Sequence, residues 1–337
     1  MGHAILDSLK PQLWGAASQE AAAFHESFGD MSAILSALQL PSLRTAILRD
    51  TGGHFYSNSR LSRVAEQLGA AIRAQRPDSV DQDCLRNAVN SFSYSDPLNL
   101  PSRAPASQLS SEPHSFSRVF TGAFFQALAG LLRSHAADAD APTPDELLEV
   151  SKQMREILVE GIIRAPVVSN FFSQVAAGMV EASSSISANY PAILKGAFVR
   201  RSILSLNSAM SIQSLQTALV SAGMSAPEIP PLDRVALSAF KYGLAEPLIV
   251  ETPSHPRQFV AFAATEDAKS AEPKSAVSAA SAFLDDLFAH GRVDYNNLGG
   301  TDSMFSSGRR LKTHKVVRES GALHLTRRLF DCGLCHG

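Results

Sequence analysis

The sequence predicts a mainly α protein with a smaller α+β region at its C-terminal end, and three observations carry that expectation. Apolar residues recur at three- and four-residue steps through most of the chain up to about residue 225. Stretches rich in Pro, Ser and Ala, at Leu98–Pro113, His135–Thr143 and Ser221–Pro231, punctuate those runs as loops. From about residue 233 the character changes to short β-branched or aromatic-containing runs. The division is a helical lobe over 1–225 and a small α+β region over 226–337.

Phe24, Phe28, Met31, Leu35 and Leu38 form one apolar helical stripe, and Phe116, Phe120, Phe124, Leu128 and Leu131 form a second. Further helical patterns run through Leu61–Ala74, Pro144–Arg164, Asn170–Ser185, Tyr190–Leu204 and Ile212–Ala222. Pro166 ends the second of these patterns at or just before Ala165, because the residue before a proline is driven out of the helical region. Pro247–Glu251 and Gln258–Ala263 read as strands, and Asp267–Ser275 as a polar linker. The tail THKVVRESGALHLTRRLF alternates on both sides of Ser320-Gly321, which predicts a β-hairpin.

The 337 residues carry a formal net charge of −2, which leaves no nucleic-acid or membrane-surface footprint at the whole-chain level. The most apolar stretch, Phe120–Leu132, falls short of the ~20 residues that span a bilayer. The opening MGHAILDSLKP has no basic segment followed by a long apolar one, so no signal peptide is read and the location stays open. Three cysteines do not make a disulfide framework. Cys332 and Cys335 lie in CGLCH, the haem-attachment spacing, but only Gly337 follows His336. An exposed tail or an adventitious metal-binding pair competes with haem there. No G-x-S-x-G elbow occurs, Thr51-Gly52-Gly53-His54 and Gly299-Gly300 read as turns, and the basic residues of the terminal hairpin read as a solvated face.

Four segments carry chemistry. The chain opens Met1-Gly2-His3-Ala4-Ile5-Leu6-Asp7, and on a helix His3 and Asp7 share a face. Phe24-His25-Glu26-Ser27-Phe28-Gly29-Asp30 puts Glu26 and Asp30 on one face, as either a metal ligand with its supporting carboxylate or a solvated acidic pair. Next comes Leu85-Arg86 with Tyr94, Asp96 and Pro97 in the same run, and then His114-Ser115-Phe116-Ser117-Arg118-Val119-Phe120. A guanidinium can clamp a carbonyl, and an imidazole N–H opening a helix can meet a developing negative charge. Ser110, Ser111 and Pro113 are start signals for that helix.

In order, spacing and flanking types these segments resemble thermolysin-like (gluzincin) zinc metallopeptidases, over roughly residues 1–200. The resemblance implies the C-terminal helical lobe of a zincin, entered inside the H-E-x-x-H motif. There two histidines bind zinc and the glutamate activates water. His3 would be the second zinc histidine and Glu26 the third ligand, with Asp7 and Asp30 orienting the metal shell. His114 would stabilise the oxyanion and Arg86 would hold the substrate carbonyl, with Tyr94 and Glu112 as possible substrate contacts or supports. The implied substrate is a peptide or protein, with neither nucleic acid nor membrane as partner.

Several positions depart from the family. The first zinc histidine and the catalytic glutamate do not occur in this chain. The resemblance therefore implies either a truncated peptidase, inactive and holding Zn2+ weakly or not at all, or a pseudo-peptidase that uses the cleft for binding. Truncation would make the missing N-terminal lobe of the same polypeptide a partner. His25 stands where the family has asparagine, as does Phe116, and Ser91 replaces a proline. Leu109 stands where an aspartate normally orients the catalytic histidine, which leaves Glu112 as the nearby acid. No counterpart is found for the family's oxyanion-assisting tyrosine; Trp14 lies in the relevant interval and Tyr56 beyond it.

Overall fold

The computed structural model describes residues 2–212, 232–253, 275–295 and 311–329. A first helix, α1 (Gly2–Leu9), and a 3₁₀ turn at Pro11–Trp14 lead into α2 (Gln19–Ala37), whose N-terminus is capped by Ser18. After α3 (Pro41–Thr51), a short strand β1 (Arg63–Val64) and α4 (Glu66–Arg73), strand β2 (Arg86–Asn87) pairs antiparallel with β1. Val64 lies opposite Arg86, which fixes that arginine against the helical layer.

Four helices complete the labelled part of the lobe: α5 (Pro113–His135), α6 (Pro144–Arg164), α7 (Phe171–Ser183) and α8 (Tyr190–Arg200). Pro113 occupies the first turn of α5, where its missing N–H costs nothing, and Thr143 with Glu146 closes a capping box on α6. Helices α6 and α7 touch at Gly161 and Gly178, where an added Cβ on Gly178 would lie 2.7 Å from the Gly161 carbonyl oxygen. The core between α2, α5 and α7 is aromatic. Phe24 meets Phe120 and Phe171 edge-on at 5.1 Å, and Phe116 stacks on Phe172.

The remaining elements form a five-stranded mixed sheet in the order β3-β4-β7-β6-β5. Its strands are β3 (Asp233–Leu237), β4 (Leu248–Thr252), β5 (Val293–Asp294), β6 (His314–Glu319) and β7 (Ala322–Arg327). Helix α9 (Ala276–Ala289) covers one face through Phe283, Leu284 and Leu287. The turn between β6 and β7 places Ser320 and Gly321 both at positive φ, 50° and 85°, as a two-residue hairpin requires. The sheet joins the helical lobe where α2 begins: the Ala17 amide donates to the Glu251 carbonyl at 3.0 Å, and Ala17 and Ala22 belong to the sheet's apolar cluster.

About 54 % of the molecule is helical, so the mainly α class with a small α+β region holds. The pattern at Leu61–Ala74 is half wrong, because residues 63–64 pair with β2 and the helix starts at Glu66 after a left-handed Ala65. Helices α3 and α9 carry no strong periodic signal and are absent from the sequence reading, as is β3. The expected strand Gln258–Ala263, the CGLCH tail and most of the Asp267–Ser275 linker lie outside the described residues, and of Ile212–Ala222 only Ile212 is described. Among the described residues no single helix is long and apolar enough to cross a membrane.

Candidate functional site

Glu26 is the centre of a buried polar cluster. It lies on the fully enclosed face of α2 and is 8 % exposed, so its carboxylate needs partners. Two histidines supply them. His3 on α1 brings Nε2 to 3.6 Å from Oε1, and His114 in the first turn of α5 brings Nε2 to 3.4 Å from Oε2. Burial raises the Glu26 carboxyl above its ordinary range, against the positive charges of His114 and Arg86.

His114 is gripped from its other side. Its Nδ1 lies 2.6 Å from Glu112 Oε1, while Glu112 Oε2 accepts the Ser115 amide at 2.9 Å as the N-cap of α5. Burial alone would push the imidazole down, but the Glu26 and Glu112 carboxylates overcome it and hold it up at about 10. Burial also opposes ionisation of Glu112, yet the His114 contact and the amides of the helix start keep its carboxyl well below the usual range. His3 behaves oppositely: burial first, then the positive charges of the chain's amino terminus, His114, Arg327 and Arg86, lower it to about 4. A neutral imidazole is the form in which histidine binds a metal.

Arg86 reaches the cluster from β2 and grips Asp30 with two hydrogen bonds, Nε to Oδ2 at 2.9 Å and Nη2 to Oδ1 at 2.8 Å. Asp30 therefore holds the arginine, not a metal-binding histidine as the resemblance implies. Asp7 also differs from that expectation. Its Oδ1 lies 3.8 Å from His25 Nε2, and the His25 ring centroid is 5.7 Å from that of His3. The buried His25 imidazole thus lies beside both Asp7 and His3. Tyr94 does not face the cluster: its hydroxyl donates to Glu20 at 2.6 Å, and Glu20 also accepts the Phe172 amide at 2.9 Å. It supports the core beneath the site.

Arg327 is the participant that the sequence reading missed. The hairpin's basic residues were expected to be solvated, but Arg327 lines a small cavity with Trp14, Gly15 and Ala17. Burial lowers its guanidinium to about 10 against the opposing pull of Asp7 and Glu26. The signal was present in the phase of the strand: Leu323, Leu325 and Arg327 alternate onto one face.

A zinc ion is tested by the donors present. His3 Nε2 and Glu26 Oε1 are separated as two ligands of one ion are, given metal–ligand bonds of ~2.0–2.2 Å. Among the described residues, however, no group of three or more His, Cys, Asp and Glu side chains is arranged to hold a metal. The second Glu26 oxygen faces His114. The residues present fit part of a zinc set, and a further donor would have to come from elsewhere.

The ionisation pattern gives a pH prediction. His114, raised from its ordinary 6.5 to about 10, contributes stability that is complete below pH 6.5 and lost as pH rises through 10. His3, lowered to about 4, contributes stability present above pH 6.5 and lost as pH falls through 4. Unfolding free energies from urea titrations are expected to peak near pH 6.5 and decline on both flanks. In His114→Gln the alkaline decline should flatten; an unchanged alkaline limb would show that His114 does not carry that charge.

Compared with protein-family models, curated proteins and solved structures, the chain shows no match.

Proposed function

We propose that the chain is the helical part of the catalytic domain of a gluzincin-type zinc peptidase acting on peptides or proteins. The observation that carries the reading is the convergence on Glu26 of His3 and His114, with Arg86 anchored beside it on Asp30. Those four side chains belong to the four separate segments whose order suggests the family. In this reading His3 and Glu26 contribute two zinc ligands, and zinc supplies Lewis acidity when a further donor completes its shell. His114 presents a ring N–H toward the reacting carbonyl oxygen, fixed by Glu112 on its far side. Arg86 orients the substrate from a guanidinium already immobilised by Asp30, so little entropy is lost on contact.

A non-catalytic peptide-binding module on the same scaffold is the second reading. It is favoured by the incomplete metal set among the described residues. Titrating the full chain with Zn2+ or Co2+ separates the two. The peptidase reading expects weak binding, lost on dialysis, that falls at least about tenfold in His3→Ala and in Glu26→Ala. His114→Ala should not weaken it. Metal binding indifferent to both His3 and Glu26, with peptide affinity intact, would leave the module reading standing.

A further inference from the structure

The position whose side chain would hold the catalytic histidine in the resembling family is Leu109, which can accept no hydrogen bond. The structure assigns that task to Glu112, which joins it to the capping of helix α5 in one side chain; the inference rests on the functional reading above for what His114 does. Each Glu112 oxygen has its own work. Oε1 meets the His114 ring at Nδ1, 2.6 Å away, and Oε2 takes the Ser115 amide at 2.9 Å. The same residue therefore sets the first turn of the helix and the rotation of the ring projecting from that turn.

Three consequences of this geometry make the residue a positioning one. A carboxylate on Nδ1 fixes that nitrogen as the donor, so the ring can only present Nε2 toward Glu26 and the reacting centre. The Glu112 side chain is 26 % exposed against 14 % for His114, so the shorter of the ring's two contacts lies on its more open side. Glu112 is also tied at the backbone, because its carbonyl accepts the Phe116 amide at 2.9 Å, and Phe116 stacks on Phe172 in the core. The ring's orientation is thereby referred to the packed interior and not to a loop.

The test uses the full chain labelled with 15N-histidine, with His114 assigned from the signal lost in His114→Gln. In the parent protein the His114 Nδ1 proton is expected to be strongly deshielded and slow to exchange, as for an imidazole N–H on a carboxylate. Glu112→Ser keeps a good helix cap but cannot reach the ring. Its ring proton should vanish into solvent exchange while the melting temperature falls only slightly. Glu112→Gln reaches the ring without charge, so the proton should persist but move upfield. A Ser variant with an unchanged ring proton, or a parent protein with none, overturns the assignment. Should the Ser variant fail to fold, an unshifted proton in the Gln variant overturns it equally. The readout needs neither metal nor turnover. A Glu112-dependent resonance in a chain that never binds zinc through His3 and Glu26 would refute the peptidase reading alone.

Discussion

Arg86→Met is expected to destabilise the folded chain by roughly 3–5 kcal/mol, the range for removing one partner of a buried ion pair. Asp30 is 3 % exposed, and both of its oxygens are engaged by the guanidinium. Without Arg86 its carboxylate is left desolvated in the helical core. Urea unfolding at neutral pH measures the loss, and Arg86→Met combined with Asp30→Asn should recover much of it, because the two changes are coupled. A residue that only gripped substrate would show no such coupling. A single-mutant loss below about 1 kcal/mol would therefore return Arg86 to a purely substrate-binding role.

Lys10→Met is expected to cost a comparable amount, roughly 3–5 kcal/mol, although Lys10 touches no acidic group among its hydrogen-bond partners. Its Nζ, buried to 1 % exposure, donates to the carbonyls of Ile162 and Ile163 at 2.8 and 2.9 Å, and to that of Ala165. Ile162 and Ile163 lie in the last turn of α6 and Ala165 is its C-cap, so with Pro166 following no helical amide satisfies these carbonyls. A cation at a helix C-terminus also opposes the negative end of the helix dipole. Methionine fills the same space and removes all three donors. Thermal and urea melts measure the loss, and Met tolerated without penalty would mean that the α6 terminus finds other partners.

Most helices were legible because their stripes are long: α2, α5 and α6 each show the 3.6-residue period over several turns. Helices α3 and α9 were not. In α3 apolar residues are sparse, and α9 begins with small residues, Ala276 to Ala282, directly after a polar stretch. The environment of Glu26 and Asp30 was legible only through the family pattern. Local periodicity alone reads a carboxylate pair four residues apart as a solvated face. Here both are buried, because α2 is covered from α1, α5, α6 and α7 at once and Arg86 reaches Asp30 from β2. No local pattern encodes that enclosure. Glu112 was visible as an acid but not as a cap, since Ser110 and Ser111 offered equally good start signals and only the backbone path decides among them. For Arg327 the phase of β7, not the density of positive charge in the hairpin, sets its environment.

The convergence on Glu26 also has a temporal meaning. Helices α2 and α5 are held together by the Phe24–Phe120 contact and by Ser27, whose hydroxyl donates to the Ser117 carbonyl at 2.9 Å. Closing the long intervening loop costs entropy only logarithmically, so a chain that has docked those two helices already has Glu26 opposite His114. His3 sits on α1, the helix that precedes α2 in sequence, whereas Arg327 comes from the far end of the described chain on β7. A contact as distant in sequence as that of Arg327 belongs to the slow part of assembly. The charge balance around Glu26 is thus complete only with the sheet in place, because Arg327 reaches it from β7.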